Sequence, residues 1–178
     1  MKLKYAFILF FIGFIIQSSV MHHLSIFGVT PNLILCLVII FSFLFDDYQG
    51  IIFGPIFGLI HDICFAEIIG VASVSYILIA LFCLELNRHL YRESFISILI
   101  ASSIGTICYS LLYWGIIRVL GSGYSFIYML SMQGILLIYN GIVMLILYII
   151  MSRRVIKHPG DKYIYKANLQ EARNLNRS

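Results

Sequence analysis

The chain has 178 residues, of which 61% are hydrophobic and 11% charged, with a mean hydropathy of +0.99 and a net charge of +4. A soluble domain carries about 25% charged residues, so this composition excludes a water-soluble fold and leaves few residues for any soluble domain. The four cysteines, Cys36, Cys64, Cys83 and Cys108, lie far apart with no Cys-x-x-Cys pair, which points to buried thiols and not to a metal or disulfide framework.

Six apolar spans are expected, at 5–24, 31–45, 50–66, 70–86, 95–117 and 127–151, against the ~20 residues a helix needs to cross a bilayer. The fold class is therefore an all-α integral membrane protein, a compact bundle of six transmembrane helices. Lys2 and Lys4 before an apolar run from Tyr5 to Ile16 imitate a signal peptide. The following Gln17-Ser18-Ser19-Val20-Met21-His22-His23 lacks a small-x-small cleavage site, so the first span is expected to stay attached. Thr30 and Pro31 suit the N-cap and first position of the second helix, and Asp46-Asp47-Tyr48-Gln49-Gly50 reads as the turn into the third.

The third span carries the most informative pattern. Gly50, Gly54 and Gly58 recur every four residues and are followed at the same spacing by Asp62. On a helix this makes a smooth strip ending in one carboxyl group. Small residues in such a strip let another helix approach closely, and a carboxyl within a bilayer is expected to face protein or a polar cavity. Asp62 lies about 18 Å beyond Gly50 at ~1.5 Å per residue. Two roles are open for it: a hinge fixing span three against span six, through Asn140, or a partner surface beside the glycines. The span is expected to cross, with a re-entrant bend near His61-Asp62 as the alternative. In span five, Ser102, Thr106 and Ser110 form a second small strip. In span six, Gln133 and Asn140 share a face, each followed by a glycine, Gly134 and Gly141.

Eleven of the twelve basic residues fall on one side if both termini are cytoplasmic: Lys2, Lys4, Arg88, Arg92 and seven in the tail, leaving Arg118 outside. This satisfies the positive-inside rule. The domain organisation expected is a transmembrane domain over 1–151 and a basic cytoplasmic tail over 152–178, the tail meeting anionic lipid head groups and not nucleic acid. The candidate acids and bases, His61, Asp62, Glu67, His89 and His22-His23, form no catalytic or phosphate-binding motif, so neither enzyme activity nor a cofactor is expected.

The order of these pieces resembles the MreD family of bacterial rod shape-determining proteins. The likeness rests on Thr30-Pro31-Asn32-Leu33-Ile34-Leu35, on Gly54-Pro55-Ile56-Phe57-Gly58-Leu59-Ile60-His61-Asp62-Ile63 with Gly70-Val71, and on Tyr139-Asn140-Gly141. It implies a non-enzymatic subunit of the elongation complex in the bacterial cytoplasmic membrane, supporting lateral peptidoglycan synthesis. The implied partner is MreC directly, with MreB filaments and the elongation peptidoglycan synthases behind it. The helix-packing or partner-contact residues would be Pro31, Asn32, Gly50, Gly54, Gly58, Asp62, Gly70, Asn140 and Gly141. The family fold is also similar to the substrate-binding subunits of energy-coupling-factor vitamin transporters, which gives an alternative function. That alternative asks for aromatic and polar groups converging in the outer half of the bundle.

Overall fold

The computed structural model describes residues 3–19, 25, 28–44, 48–66, 68–87, 95–121 and 125–155. They form six helices, α1 (Leu3–Ser19), α2 (Leu33–Leu44), α3 (Gln49–Phe65), α4 (Val71–Leu86), α5 (Phe95–Val119) and α6 (Phe126–Val155), with no strand among the described residues. The chain divides into two compact units, Met1–Leu147 and Tyr148–Ser178. The helix contacts, polar networks and cavity belong to the first unit. His22, His23, Asp46, Asp47, Glu67, Arg88, His89, Arg92 and the tail beyond 155 lie outside the described residues.

Helix α2 is the centre of the bundle. Every residue from Leu33 to Phe43 is buried, as expected of a helix that is apolar on all sides. Its neighbours reach it through glycines. A Cβ on Gly13 of α1 would stand 2.6 Å from Leu37 Cδ1, one on Gly54 of α3 2.6 Å from Val38 Cγ2, and one on Gly105 of α5 2.8 Å from Ile39 Cδ1. Three consecutive bulky residues of α2 thus each occupy the hollow left by a missing side chain, which is how close helix approach is achieved where no water drives association. A phenylalanine cluster fills the space between α1, α2 and α3. Phe10 lies 5.4 Å from Phe41, 5.8 Å from Phe53 and 5.8 Å from Phe57, ring centroid to centroid.

One expectation needs correction. The second helix begins at Leu33, and its N-cap is Asn32, whose Oδ1 accepts from Leu35 N at 2.9 Å. Asn32 displaces Thr30 because an amide oxygen two residues later reaches the N3 amide. Of the two readings of the third span, the alternative of a bend at His61-Asp62 is not what is seen: α3 runs unbroken through both residues to Phe65.

The lengths of the helices also differ from six equal crossings. Among the described residues, only α5, at 25 residues, and α6, from Phe126 to Met151, are long and apolar enough to span a bilayer by themselves. With 12 residues, α2 covers about 18 Å of a core about 30 Å thick. Being wrapped by other helices, it has no lipid boundary to match.

Candidate functional site

The third-span pattern builds a helical hairpin within the chain. Asp62 Oδ2 accepts hydrogen bonds from Gly70 N at 3.0 Å and Ala72 N at 2.9 Å. It therefore caps the first turn of α4 from the last turn of α3, at the end where the helix dipole favours an oxygen acceptor. The residue in the N-cap position is Gly70, with φ +97°, a backbone conformation open to glycine. Gly70 has no side chain to cap with, so Asp62 supplies the cap from a distance. Along the same contact, Ser73 Oγ donates to Pro55 O at 3.0 Å. A Cβ on Gly58 would stand 2.6 Å from Tyr76 Cδ2 and 3.1 Å from Ser73 Cα. A Cβ on Gly50 would collide with Ser42 Oγ and stand 3.0 Å from Val38 O.

The strip thus faces α2 and α4, and Gly50, Gly54, Gly58 and Asp62 are all buried. In this chain the face of the strip is filled by α2 and α4, which is the helix-packing role expected for these residues. The Asp62–Asn140 hinge is overturned: the two side chains bond to different partners. A leucine at Gly58 meets backbone as well as the Tyr76 ring, so Gly58→Leu is expected to lower the amount of folded protein in the membrane. Western quantification of membrane fractions at matched expression checks this.

A second polar network surrounds the start of α2. Asn140 Oδ1 accepts from Asn32 N at 2.8 Å, and Asn140 Nδ2 donates to Thr106 Oγ1 at 3.1 Å. Gln17 Oε1 accepts from Leu33 N at 2.6 Å, while its Nε2 donates to Pro31 O at 3.1 Å. Tyr76 Oη donates to Asn32 Oδ1 at 3.0 Å. The first amides of α2 are thereby satisfied by side chains from α1 and α6 and by its own cap, which buried helix ends require. Tyr76 joins the two networks, its ring lying against Gly58 and its hydroxyl on Asn32. Sequence reasoning missed Tyr76. The signal available was its position four residues beyond Ala72, on the face of α4 that meets α3.

Above the start of α2 lies a cavity of about 370 Å³. It exists because α2 begins late, so its neighbours extend past it and border a partly open volume that no helix fills. All six helices or their caps contribute to its lining, through Gln17, Asn32, His61, Tyr76, Tyr109 and Gln133 among others. Tyr76 stacks on Tyr109 at 5.2 Å, and Tyr109 on Tyr113 at 5.7 Å. Gln133 Nε2 and His61 Nδ1 are both buried without a hydrogen-bond partner; His61 Nδ1 stands 4.0 Å from Asp62 Oδ1, beyond hydrogen-bond range. Gln133 faces this cavity, whereas Asn140, seven residues on, is bonded at the base of the second network. Among the described residues, no group of three metal-ligating side chains comes together.

Not every small residue is a packing residue. A Cβ at Gly134 or at Gly141 would meet nothing within 4 Å, so on α6 the glycines leave open space. The serine–threonine strip of α5 is buried at Ser102, Thr106 and Ser110.

No curated protein and no solved structure matches this chain. The family model described as rod shape-determining protein MreD matches residues 2–154, a range that takes in the hairpin, the network at the start of α2 and the apolar helices α5 and α6. The chain accordingly belongs to the MreD family, a membrane family that acts in rod shape determination.

Proposed function

We propose that the protein is a non-enzymatic subunit of the bacterial elongation complex, holding MreC in the cytoplasmic membrane and through it serving MreB filaments and the peptidoglycan synthases. The family match over residues 2–154 carries this reading. The polar groups of the core support it: Asp62, Asn32, Asn140 and Gln17 are spent on capping helices and bridging them, which is scaffold work. We place six crossings, with both termini cytoplasmic, on the asymmetry of the basic residues in the sequence. A transmembrane domain over 1–151 then precedes a basic tail over 152–178.

The contact surface for MreC is best sought on α6. There Gly134 and Gly141 have open space beside them and lie within about 20° of one another around the helix. Ile138 between them is 66% exposed. A single crossing helix can approach such a face closely, as it cannot approach the filled strip of α3. Depletion is expected to make rod cells round, and affinity capture from mild detergent to recover MreC. Gly141→Leu should leave membrane abundance unchanged and abolish that capture. Normal cell shape on depletion, or full capture by Gly141→Leu, refutes the respective part of the reading. The second reading, a vitamin-binding transporter subunit, is favoured by the aromatic and polar cavity. It predicts impaired vitamin uptake with normal shape.

A further inference from the structure

We propose that the cavity above the start of α2 is a binding site for an uncharged hydroxylated ring, that is, a neutral sugar, free or carried as a lipid head group. Its volume of about 370 Å³ lies at the low end of the ~300–1,000 Å³ of small-molecule sites, which suits one or two rings.

The lining decides the chemistry. Among the described residues around the cavity there is no Lys, Arg, Asp or Glu. A phosphate or carboxylate would therefore find no counter-charge among the described lining residues. The amides at the start of α2, which could have held an anion, are already taken by Asn140, Gln17 and the Asn32 cap. An organic cation fits no better. The partial positive charge at the start of α2 opposes it. Tyr76, Tyr109 and Tyr113 also stack on one another, so much of their ring faces is used within the ladder and not offered as a cage.

What remains is a dense set of neutral donors and acceptors: tyrosine and serine hydroxyls, the amides of Gln17, Asn32 and Gln133, and the His61 imidazole. Two of these, Gln133 Nε2 and His61 Nδ1, are buried and have no partner. Buried polar atoms are ordinarily hydrogen-bonded; His61 Nδ1 is turned toward Asp62 Oδ1, 4.0 Å away, and the Gln133 amide is the group left for a ligand hydroxyl to satisfy. Gln133 and Tyr109 approach from α6 and α5, so such a ligand bridges two helices.

The test uses the full chain in a polyoxyethylene detergent, with glucose and sub-micellar octyl β-glucoside as probes. Trp114, the one tryptophan, lies on α5 with its ring 5.1 Å from Phe126 of α6 and reports on a ligand between these helices. Both probes are expected to change its emission saturably. Gln133→Leu and Tyr109→Phe should each weaken binding about three- to tenfold, the effect of one neutral hydrogen bond. Because Gln133 Nε2 has no partner in the protein, Gln133→Leu should keep the wild-type helical circular dichroism and melting temperature. Much tighter binding of the glucoside than of glucose identifies a lipid-borne head group, and equal binding a soluble sugar. The proposal is overturned by an absence of saturation, by an equal response to an octyl polyoxyethylene ether, by undiminished affinity in Gln133→Leu, or by inorganic phosphate or choline binding more tightly than glucose.

Discussion

Asp62→Leu is expected to strip most of the protein from the membrane, while Asp62→Asn leaves most of it in place. The side chain satisfies two backbone amides, that of the half-buried Gly70 and that of the buried Ala72. Each amide left unsatisfied costs about 1–3 kcal/mol, so the leucine variant loses about 2–6 kcal/mol out of a total stability of about 5–15 kcal/mol. Asparagine retains an oxygen acceptor of the same reach and should lose only a fraction of that. Gly70→Ala tests the same corner by another route. No atom lies within 4 Å of a Cβ there, but the backbone has φ +97°, so the cost is conformational, about 1–2 kcal/mol. Thermal melts of the detergent-solubilised variants should rank Asp62→Leu lowest, then Gly70→Ala, with Asp62→Asn nearest wild type. Equal melting of Asp62→Leu and wild type would rule out the capping role.

Legibility from sequence differs from residue to residue. The glycine spacing with Asp62 and then Gly70 stood out in the sequence, because four-residue recurrence has one geometric meaning on a helix. The partner of the strip was not legible. Spacing shows that a face is smooth, and it does not show whether the neighbour is α4 of the same chain or another protein. Here the neighbour follows within ten residues, and Asp62 is the link that closes the short connection. For Gly134 and Gly141 the same type of evidence leads the other way, since among the described residues no atom lies within 4 Å of a Cβ there. The apolar run of α2 was legible as a span. Its central position was not, because a helix that is apolar all round looks the same whether lipid or protein surrounds it. The convergence of Gln17, Asn32, Tyr76, Thr106 and Asn140 needed the fold, since those residues come from five segments separated by up to 123 positions.

That convergence leads to the second large effect. Asn140→Leu should loosen α6 from the start of α2 more than Thr106→Val does. Asn140 is fully buried and uses both ends of its amide, its Oδ1 on Asn32 N and its Nδ2 on Thr106 Oγ1. Side chain to side chain hydrogen bonds between helices in membranes average only ~0.6 kcal/mol, with a maximum of ~1.7, so losing Thr106 alone is mild. Losing Asn140 also orphans the Asn32 amide, at about 1–3 kcal/mol, and leucine has no atom to replace the acceptor. The two variants share a bond, so their effects should not add: Thr106→Val in the Asn140→Leu background should lower the melting temperature little further. A full additive loss in the double variant would show that Asn140 and Thr106 act independently. The amide would then not be the tie between α6 and the centre of the bundle.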